Sequence, residues 1–422
     1  MKVLWITNIL FPEAEQLLTG SGELKASGGW MLGAANALLQ NKEVKLIVAS
    51  VSTKVHKLTK LEGHDILYYI LPMGKGNMNF NMDYCKYWRQ VNNDVKPDVV
   101  HIHGTEYSHG YAYMVACGYD NVVISIQGLT SAYYYYYYGM SKKDVYRNMT
   151  FRDLLRGSIL KGQKLFKERA VYEIAMLKMV KHVIGRTSWD KARGWAINPN
   201  AKYHFCNETL RAEFYDGAEW KYEKCNKHSI FLSQAGYPIK GLHQVLNAMP
   251  LILRHYPDAQ IRVAGTDITK SNSVIEKLRL SGYGKYIKSL ISKYNLKGKV
   301  LFTGNLNAEQ MKSEYLNANV FVCPSSIENS PNSLGEAQIL GTPCIASYVG
   351  GVMDMMKGNE DNIYRFEEIE MLAEKVCRVF ADGSKQIDMI ETASKRHCQI
   401  DNAIQLYHIY QSIKEIQSET FE

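Results

Sequence analysis

Two carboxylates eight residues apart, Glu328 and Glu336, lie within Ser325–Ser347, which reads SSIENSPNSLGEAQILGTPCIAS. A carboxylate can accept hydrogen bonds from neighbouring hydroxyls such as those of a ribose. Asn329, Ser330, Pro331 and Asn332 between them favour turns. Ser333 can then cap a helix running through Leu334, Gly335, Glu336, Ala337, Gln338, Ile339 and Leu340. The amides of Ser333 and Leu334 at that helix start suit a phosphate or diphosphate, with Glu336 in the first turn and Glu328 on the loop side of Pro331.

The elements that must hold these groups are legible on either side. Val320-Phe321-Val322-Cys323 is a short apolar run of the kind that fills a parallel strand buried on both faces. Gly341 and Pro343 stop the helix, and Cys344-Ile345-Ala346-Ser347 resumes an extended run. The unit is strand, loop, helix, strand, as in a parallel sheet. Two glutamates alone are most often two surface carboxylates; the attached loop, helix start and Gly341-Thr342-Pro343 raise this pair above that reading.

These residues resemble the retaining glycosyltransferases of the GT-B fold, specifically glycosyltransferase family 4. The resemblance is carried by Glu328, Glu336, Ala337, Gly341-Thr342-Pro343 and Gly350-Gly351. It implies that Glu328 lies by the donor sugar and that Glu336 holds the nucleotide ribose. The fold it implies is α/β, two Rossmann-like doubly wound domains facing across a cleft. It is strongest from Ile230 to Gly351 and runs through most of the chain.

A chain of 422 residues exceeds the size at which one core stops growing, so two domains of roughly 200 residues are expected. The resemblance implies an acceptor domain, placed at 1–208 with 401–422 packing back on it, and a donor domain, placed at 209–400. Eight cysteines are scattered without a C-x-x-C pair, which indicates neither a zinc site nor a disulfide framework and fits a reducing cytoplasm. No apolar run reaches the length of a membrane span. The net charge of +8 fits a nucleic-acid partner, an anionic membrane surface or a merely basic enzyme, and no nucleic-acid motif accompanies it.

In the N-terminal half, Lys2-Val3-Leu4-Trp5-Ile6-Thr7 reads as a first buried strand, and a long segment leads from Asn8 to a helix over Trp30–Leu39. Gly28 and Gly29 at that helix entrance let the backbone approach a ligand; the resemblance sets them opposite the donor diphosphate, where a lone Gly-Gly would read as a surface turn. In Val99-Val100-His101-Ile102-His103 the two histidines share one strand face, and His103 falls at the carboxyl end, where ligands bind in such sheets. They suit core histidines bonded to backbone groups, or a metal pair for which Glu106 and His109 are the only further ligands nearby. The resemblance makes His103 a residue that positions the donor sugar.

Tyr133–Tyr138 offers flat apolar faces with hydroxyl tips, suited to sugar rings, to a lipid headgroup zone or to a packed lid. From Lys142 to Arg169, nine Lys or Arg against three Asp or Glu are interleaved with apolar residues. That is a basic amphipathic stretch able to rest on an anionic bilayer, or a solvated helix with one face on the core.

In the C-terminal half, a strand from Ile230 leads to a loop ending at Lys240, and the resemblance gives that lysine the donor diphosphate. It expects an arginine six residues earlier, where this chain has Gln234; Arg186 or Arg262 could compensate. The base would be read by backbone at Leu306. Donor binding is thus expected at Gly28, Gly29, Gln234, Lys240, Leu306, Asn332, Ser333, Leu334 and Glu336, and catalysis at His103 and Glu328. No two aspartates stand two apart, so no metal is expected, and no cofactor beyond a UDP- or GDP-sugar donor.

The resemblance implies retaining transfer to a saccharide or lipid-linked saccharide acceptor, in surface polysaccharide biosynthesis. Such an enzyme would be cytoplasmic and peripheral at the inner face of the plasma membrane. The rival readings are a catalytically weakened nucleotide-sugar-binding subunit, motivated by Gln234, and a nucleic-acid binder, motivated by charge alone.

Overall fold

The computed structural model describes residues 1–20, 29–73, 80–382 and 387–420. Gly28 lies outside them. The chain forms two compact units, one of Met1–Ser131, Lys167–Ala212 and Arg396–Glu422, the other of Ala132–Phe166 and Glu213–Lys395.

Among the described residues the first unit is built on eight strands: β1 Lys2–Thr7, β2 Lys45–Ser52, β3 Thr59–Glu62, β4 Leu67–Pro72, β5 Val99–His103, β6 Val122–Ser125, β7 His182–Gly185 and β8 Lys202–Phe205. Their order is β3-β4-β2-β1-β5-β6-β7-β8, parallel throughout except for the β3–β4 pair. Every residue of β5 is buried, as the continuous apolar character of its neighbours requires in a sheet covered on both faces. The order of the strands reverses between β1 and β5. That is the switch point at which such a sheet opens a crevice at its carboxyl edge, and His103 ends β5 there, opposite Ser125 of β6.

The core of this unit joins Val3, Trp5, Leu46 and Val48 to Met31 and Ala35 of the helix Gly29–Leu38. It also takes Leu406, Ile409, Tyr410 and Ile413 of the last helix, Gln399–Thr420. Within the long segment after Asn8, a helix spans Pro12–Thr19.

The second unit carries β9 Asn226–Leu232, β10 Gln260–Val263, β11 Val300–Phe302, β12 Ala318–Cys323, β13 Cys344–Ser347 and β14 Ile363–Tyr364, all parallel, in the order β11-β10-β9-β12-β13-β14. Alternate residues feed opposite faces: Ile230, Leu232, Val320 and Val322 enter one cluster, Phe231, Phe321 and Cys323 another. The reversal of order falls between β9 and β12, so the loops leaving those two strands flank the crevice position. Both domains are therefore Rossmann-like.

The units depart from the expected 1–208 division at Ala132–Phe166. This segment lies between β6 and β7 in sequence but packs with the second unit, where His243 Nε2 meets the Gly139 carbonyl at 2.5 Å and the Ser326 hydroxyl donates to the Tyr136 carbonyl at 3.0 Å. The basic stretch within it is no single helix. It forms Lys142–Arg147, Phe151–Arg156 and the start of Ile159–Met179, broken at Gly157, with Ser141 and Thr150 capping the first two. No helix of the described residues is long and apolar enough to cross a membrane.

Candidate functional site

In the second unit the loops after β9 and β12 are tied together at a few atoms. The loop after β9 ends in a short 3-10 turn, Pro238–Lys240, and Gly241 follows with φ 71°. A Cβ on Gly241 would lie 1.7 Å from the Pro324 carbonyl oxygen, so only glycine permits this approach. The Ser326 amide donates to the Ile239 carbonyl at 2.8 Å.

Across this contact the Lys240 ammonium donates to Glu328 Oε1 at 2.5 Å, and the Ser325 hydroxyl donates to the same oxygen at 2.8 Å. Glu328 is itself fixed from behind, since its carbonyl accepts the Gly351 amide at 3.0 Å. Gly350, with φ 51°, lets the chain pass where a Cβ would stand 1.9 Å from that carbonyl oxygen. Burial alone would lower the Lys240 ammonium, but the Glu328 carboxylate and the Tyr237 phenol outweigh it and hold the lysine charged, above its ordinary value. A half-buried cation beside a buried carboxylate at the edge of a parallel sheet can meet an anionic group with one and a hydroxyl with the other.

The helix after Glu328 spans Asn332–Ile339 and follows Pro331 without a side-chain cap, so Ser333 lies inside its first turn and does not cap it. Glu336 accordingly falls in the second turn, buried, with the Tyr315 hydroxyl 3.4 Å from its Oε2. The Leu334 amide closes on the Pro331 carbonyl at 3.0 Å, and the Leu334 side chain is in the core. Leu306 packs against that same cluster. Gln234 is exposed just after β9.

Neither cation expected to compensate for it is available. Arg262 spends two N–H groups on Glu314, at 2.7 and 2.6 Å. Arg186, in the first unit, is paired with Glu208 and donates to the Ile126 and Gln127 carbonyls at 3.0 Å.

In the first unit the two histidines of β5 differ in kind. His101 has both nitrogens engaged, Nδ1 with the Tyr410 hydroxyl at 2.5 Å and Nε2 with the Ser125 hydroxyl. It is a structural histidine. His103 stacks on it with ring centroids 3.7 Å apart and has a buried Nε2 without a hydrogen-bond partner among the described residues. Burial pushes its pKa down to about 3, so it is neutral at physiological pH and can give or take one hydrogen bond. It lines a cavity of 40 Å3 together with Trp30, Arg186, Asn207, Glu208 and Thr209. Gly29 opens the helix beside this wall, where a Cβ would stand 3.1 Å from the Arg211 side chain.

Two groups beside His103 were weighed in the sequence only as metal ligands. Glu106 accepts the Gly128 amide at 3.0 Å through Oε1, while its buried Oε2 has no partner among the described residues, and burial pushes its carboxyl up to about 7. His109 Nε2 meets Asn8 Oδ1 at 2.6 Å, and the Asn8 amide nitrogen lies 3.4 Å from the His103 carbonyl. Their place just after a buried strand at a switch point, Glu106 in the loop and His109 in the first turn of the helix Ser108–Cys117, was the available signal. Among the described residues no group of three or more His, Cys, Asp or Glu is placed to hold a metal ion.

Residues 219–396 match the family model described as glycosyl transferases group 1. The chain is 28% identical over 170 residues to an uncharacterized glycosyltransferase of Methanocaldococcus jannaschii, covering 40% of each. It is 27% identical over 179 residues to the D-inositol 3-phosphate glycosyltransferase of Corynebacterium urealyticum, covering 42% of this chain and 41% of that one. The match spans about two fifths of the length of these curated relatives. In fold, the chain is similar over 98% of both lengths to sucrose-phosphate synthase from Thermosynechococcus elongatus, with a TM-score of 0.68 at 16% identity. Its α/β architecture of two Rossmann-like domains is the GT-B fold.

Proposed function

We propose that the chain is a glycosyltransferase that moves a sugar from a nucleoside diphosphate donor, a UDP- or GDP-sugar, to a saccharide or lipid-linked saccharide acceptor, with retention at the anomeric carbon and without a metal. The Lys240–Glu328 pair at the carboxyl edge of the second sheet is the observation that carries this reading, because it lies within the segment that matches the glycosyl transferases group 1 model. In this reading Lys240 leaves Glu328 to meet the donor diphosphate and offset the charge that builds on it as the glycosidic C–O bond breaks. Glu328 then accepts from a donor hydroxyl, Glu336 from the ribose, and neutral His103 orients the sugar. Gly28, Gly29, Asn332, Ser333 and Leu334 supply backbone to the donor, and Leu306 faces the base. The acceptor belongs to surface polysaccharide synthesis at the inner face of a membrane.

The exposed Gln234 supports a second reading, a nucleotide-sugar-binding subunit of weakened activity. The two separate in one experiment. Thermal melting with UDP, GDP and their sugars is followed by a transfer assay on the wild type and on Glu328→Gln. A transferase is stabilised by one nucleotide class and turns over, and Glu328→Gln loses about a hundredfold or more in turnover with the nucleotide shift kept. A shift without turnover, in the wild type as in Gln234→Arg, leaves the binding subunit. Absence of any shift refutes both.

A further inference from the structure

Large apolar side chains crowd the solvent face of two short helices in the second unit. On Phe151–Arg156, Phe151, Leu154 and Leu155 are exposed, the two leucines at 70% each; on Val274–Arg279, Val274, Ile275 and Leu278 are exposed, Val274 at 73%. The helices pack against each other. The Thr150 hydroxyl donates to the Leu280 carbonyl, and the Gly282 amide donates to Asp153 Oδ2, each at 2.8 Å. Six large apolar groups therefore form one patch, whereas exposed apolar residues on a soluble surface are ordinarily scattered singly.

Charge around the patch has one sign. Arg156, Lys277 and Arg279 on the two helices, and Arg147 and Lys270 within four residues of them in sequence, are exposed. The acids of the same segments are turned to backbone or hydroxyl partners. Asp153 is buried and accepts the Thr150 and Gly282 amides; Glu276 accepts the Asn272 and Ser273 amides; Asp144 takes the Ser141 hydroxyl. A second copy of the chain laid on this face would bring like charges together, which opposes self-association. An anionic bilayer satisfies both halves of the pattern, since its phosphates meet the cations while apolar side chains enter the headgroup boundary.

We infer that the helices Phe151–Arg156 and Val274–Arg279 form a docking face for the surface of a membrane rich in anionic phospholipid. This deepens the membrane part of the reading above and rests on it, while its test reads lipid binding and not transfer, so that either can fail alone. It also moves the contact from the basic stretch over 142–169 to a face built by two distant stretches of sequence.

The test is flotation of the full chain with vesicles of phosphatidylcholine alone or with about 30% phosphatidylglycerol, at low and high salt. The wild type is expected to float with the anionic vesicles only, and less at high salt. Leu154→Ser with Leu278→Ser should reduce the bound fraction about tenfold, and Arg156→Glu with Arg279→Glu should do the same. Because all four side chains are exposed, each double variant should melt as the wild type does. A Leu155→Trp variant supplies an independent readout, a blue shift of its emission on anionic vesicles. Equal flotation with neutral vesicles, retention of binding in both double variants, or a dimer in sedimentation that Leu154→Ser dissolves would each overturn the inference.

Discussion

At the scale of single residues, the candidate polar groups of the two units are of two kinds. Lys240 and Glu328 satisfy each other, and their removal is asymmetric in effect. Lys240→Met strands a carboxylate that is 10% exposed, which should lower the stability of the second unit by about 2 kcal/mol, whereas Glu328→Gln keeps the Ser325 bond and should cost less than about 1 kcal/mol. Chemical denaturation of the two variants checks the order. Glu106 is of the other kind, a carboxyl pushed up to about 7 by burial, against an ordinary value of 4.5. The folded state holds its proton more tightly than the unfolded chain does. Its contribution to stability is therefore full below about 4.5 and is lost as pH rises to about 7, beyond which it is constant. Melting from pH 4 to 8 should show the wild type losing ground to Glu106→Gln across that window; parallel curves would place the Glu106 proton elsewhere. His103, lowered by burial from 6.5 to about 3, gives a slope of the opposite sign between those values, which the wild type and Glu106→Gln share, so it cancels in the comparison.

At the scale of elements, what was legible in the sequence was what local pattern dictates. The run Val320–Cys323, the turn residues after it and the Gly341-Thr342-Pro343 stop are contiguous, and the structure sets strand β12, the loop and the helix Asn332–Ile339 within two residues of the expected bounds. The strand β3 escaped because its alternately half-buried residues, Thr59-Lys60-Leu61-Glu62, lack an apolar run. In the basic stretch Gly157 marks one break, whereas the break between Arg147 and Phe151 has no glycine to show it. The charge and apolar content of the stretch are spread evenly, and the breaks rest on caps that only tertiary contact completes. Thr150 and Asp153 form a capping box, and Asp153 also accepts the Gly282 amide from 129 residues away. Asp153→Ala should remove the cap and that tie together, lowering stability by about 2 kcal/mol. Hydrogen exchange should speed up at the amides of Thr150 and Gly282 first. Unchanged protection at Gly282 would show that the helix is held by other contacts.

At the scale of the whole chain, sequence order and spatial membership part company twice. Ala132–Phe166 leaves the first unit for the second, and Arg396–Glu422 returns from the second to the first. The apolar spacing from Ile404 to Ile413 shows only that the last helix needs a partner face, and its place on the first unit was what the resemblance implied; the departure was not legible, because its anchors are backbone carbonyls such as those of Tyr136 and Gly139, which carry no side-chain signal. The return has a mechanical consequence for the first unit. Tyr410 is buried, and its hydroxyl meets both Trp5 Nε1 at 2.9 Å and His101 Nδ1 at 2.5 Å. His101 in turn stacks on His103. Tyr410→Phe keeps the ring and strands two buried polar atoms, a loss of about 3 kcal/mol borne by the first unit. The Lys240–Glu328 pair shares no residue with this network, so calorimetry should show the first unit melting earlier while the nucleotide-induced shift of the second is unchanged. Transfer should fall with the shift intact, because the wall that holds His103 has lost its brace. If nucleotide binding fell in step with transfer, the last helix would be supporting the donor side as well, and the division of labour between the two units would have to be redrawn.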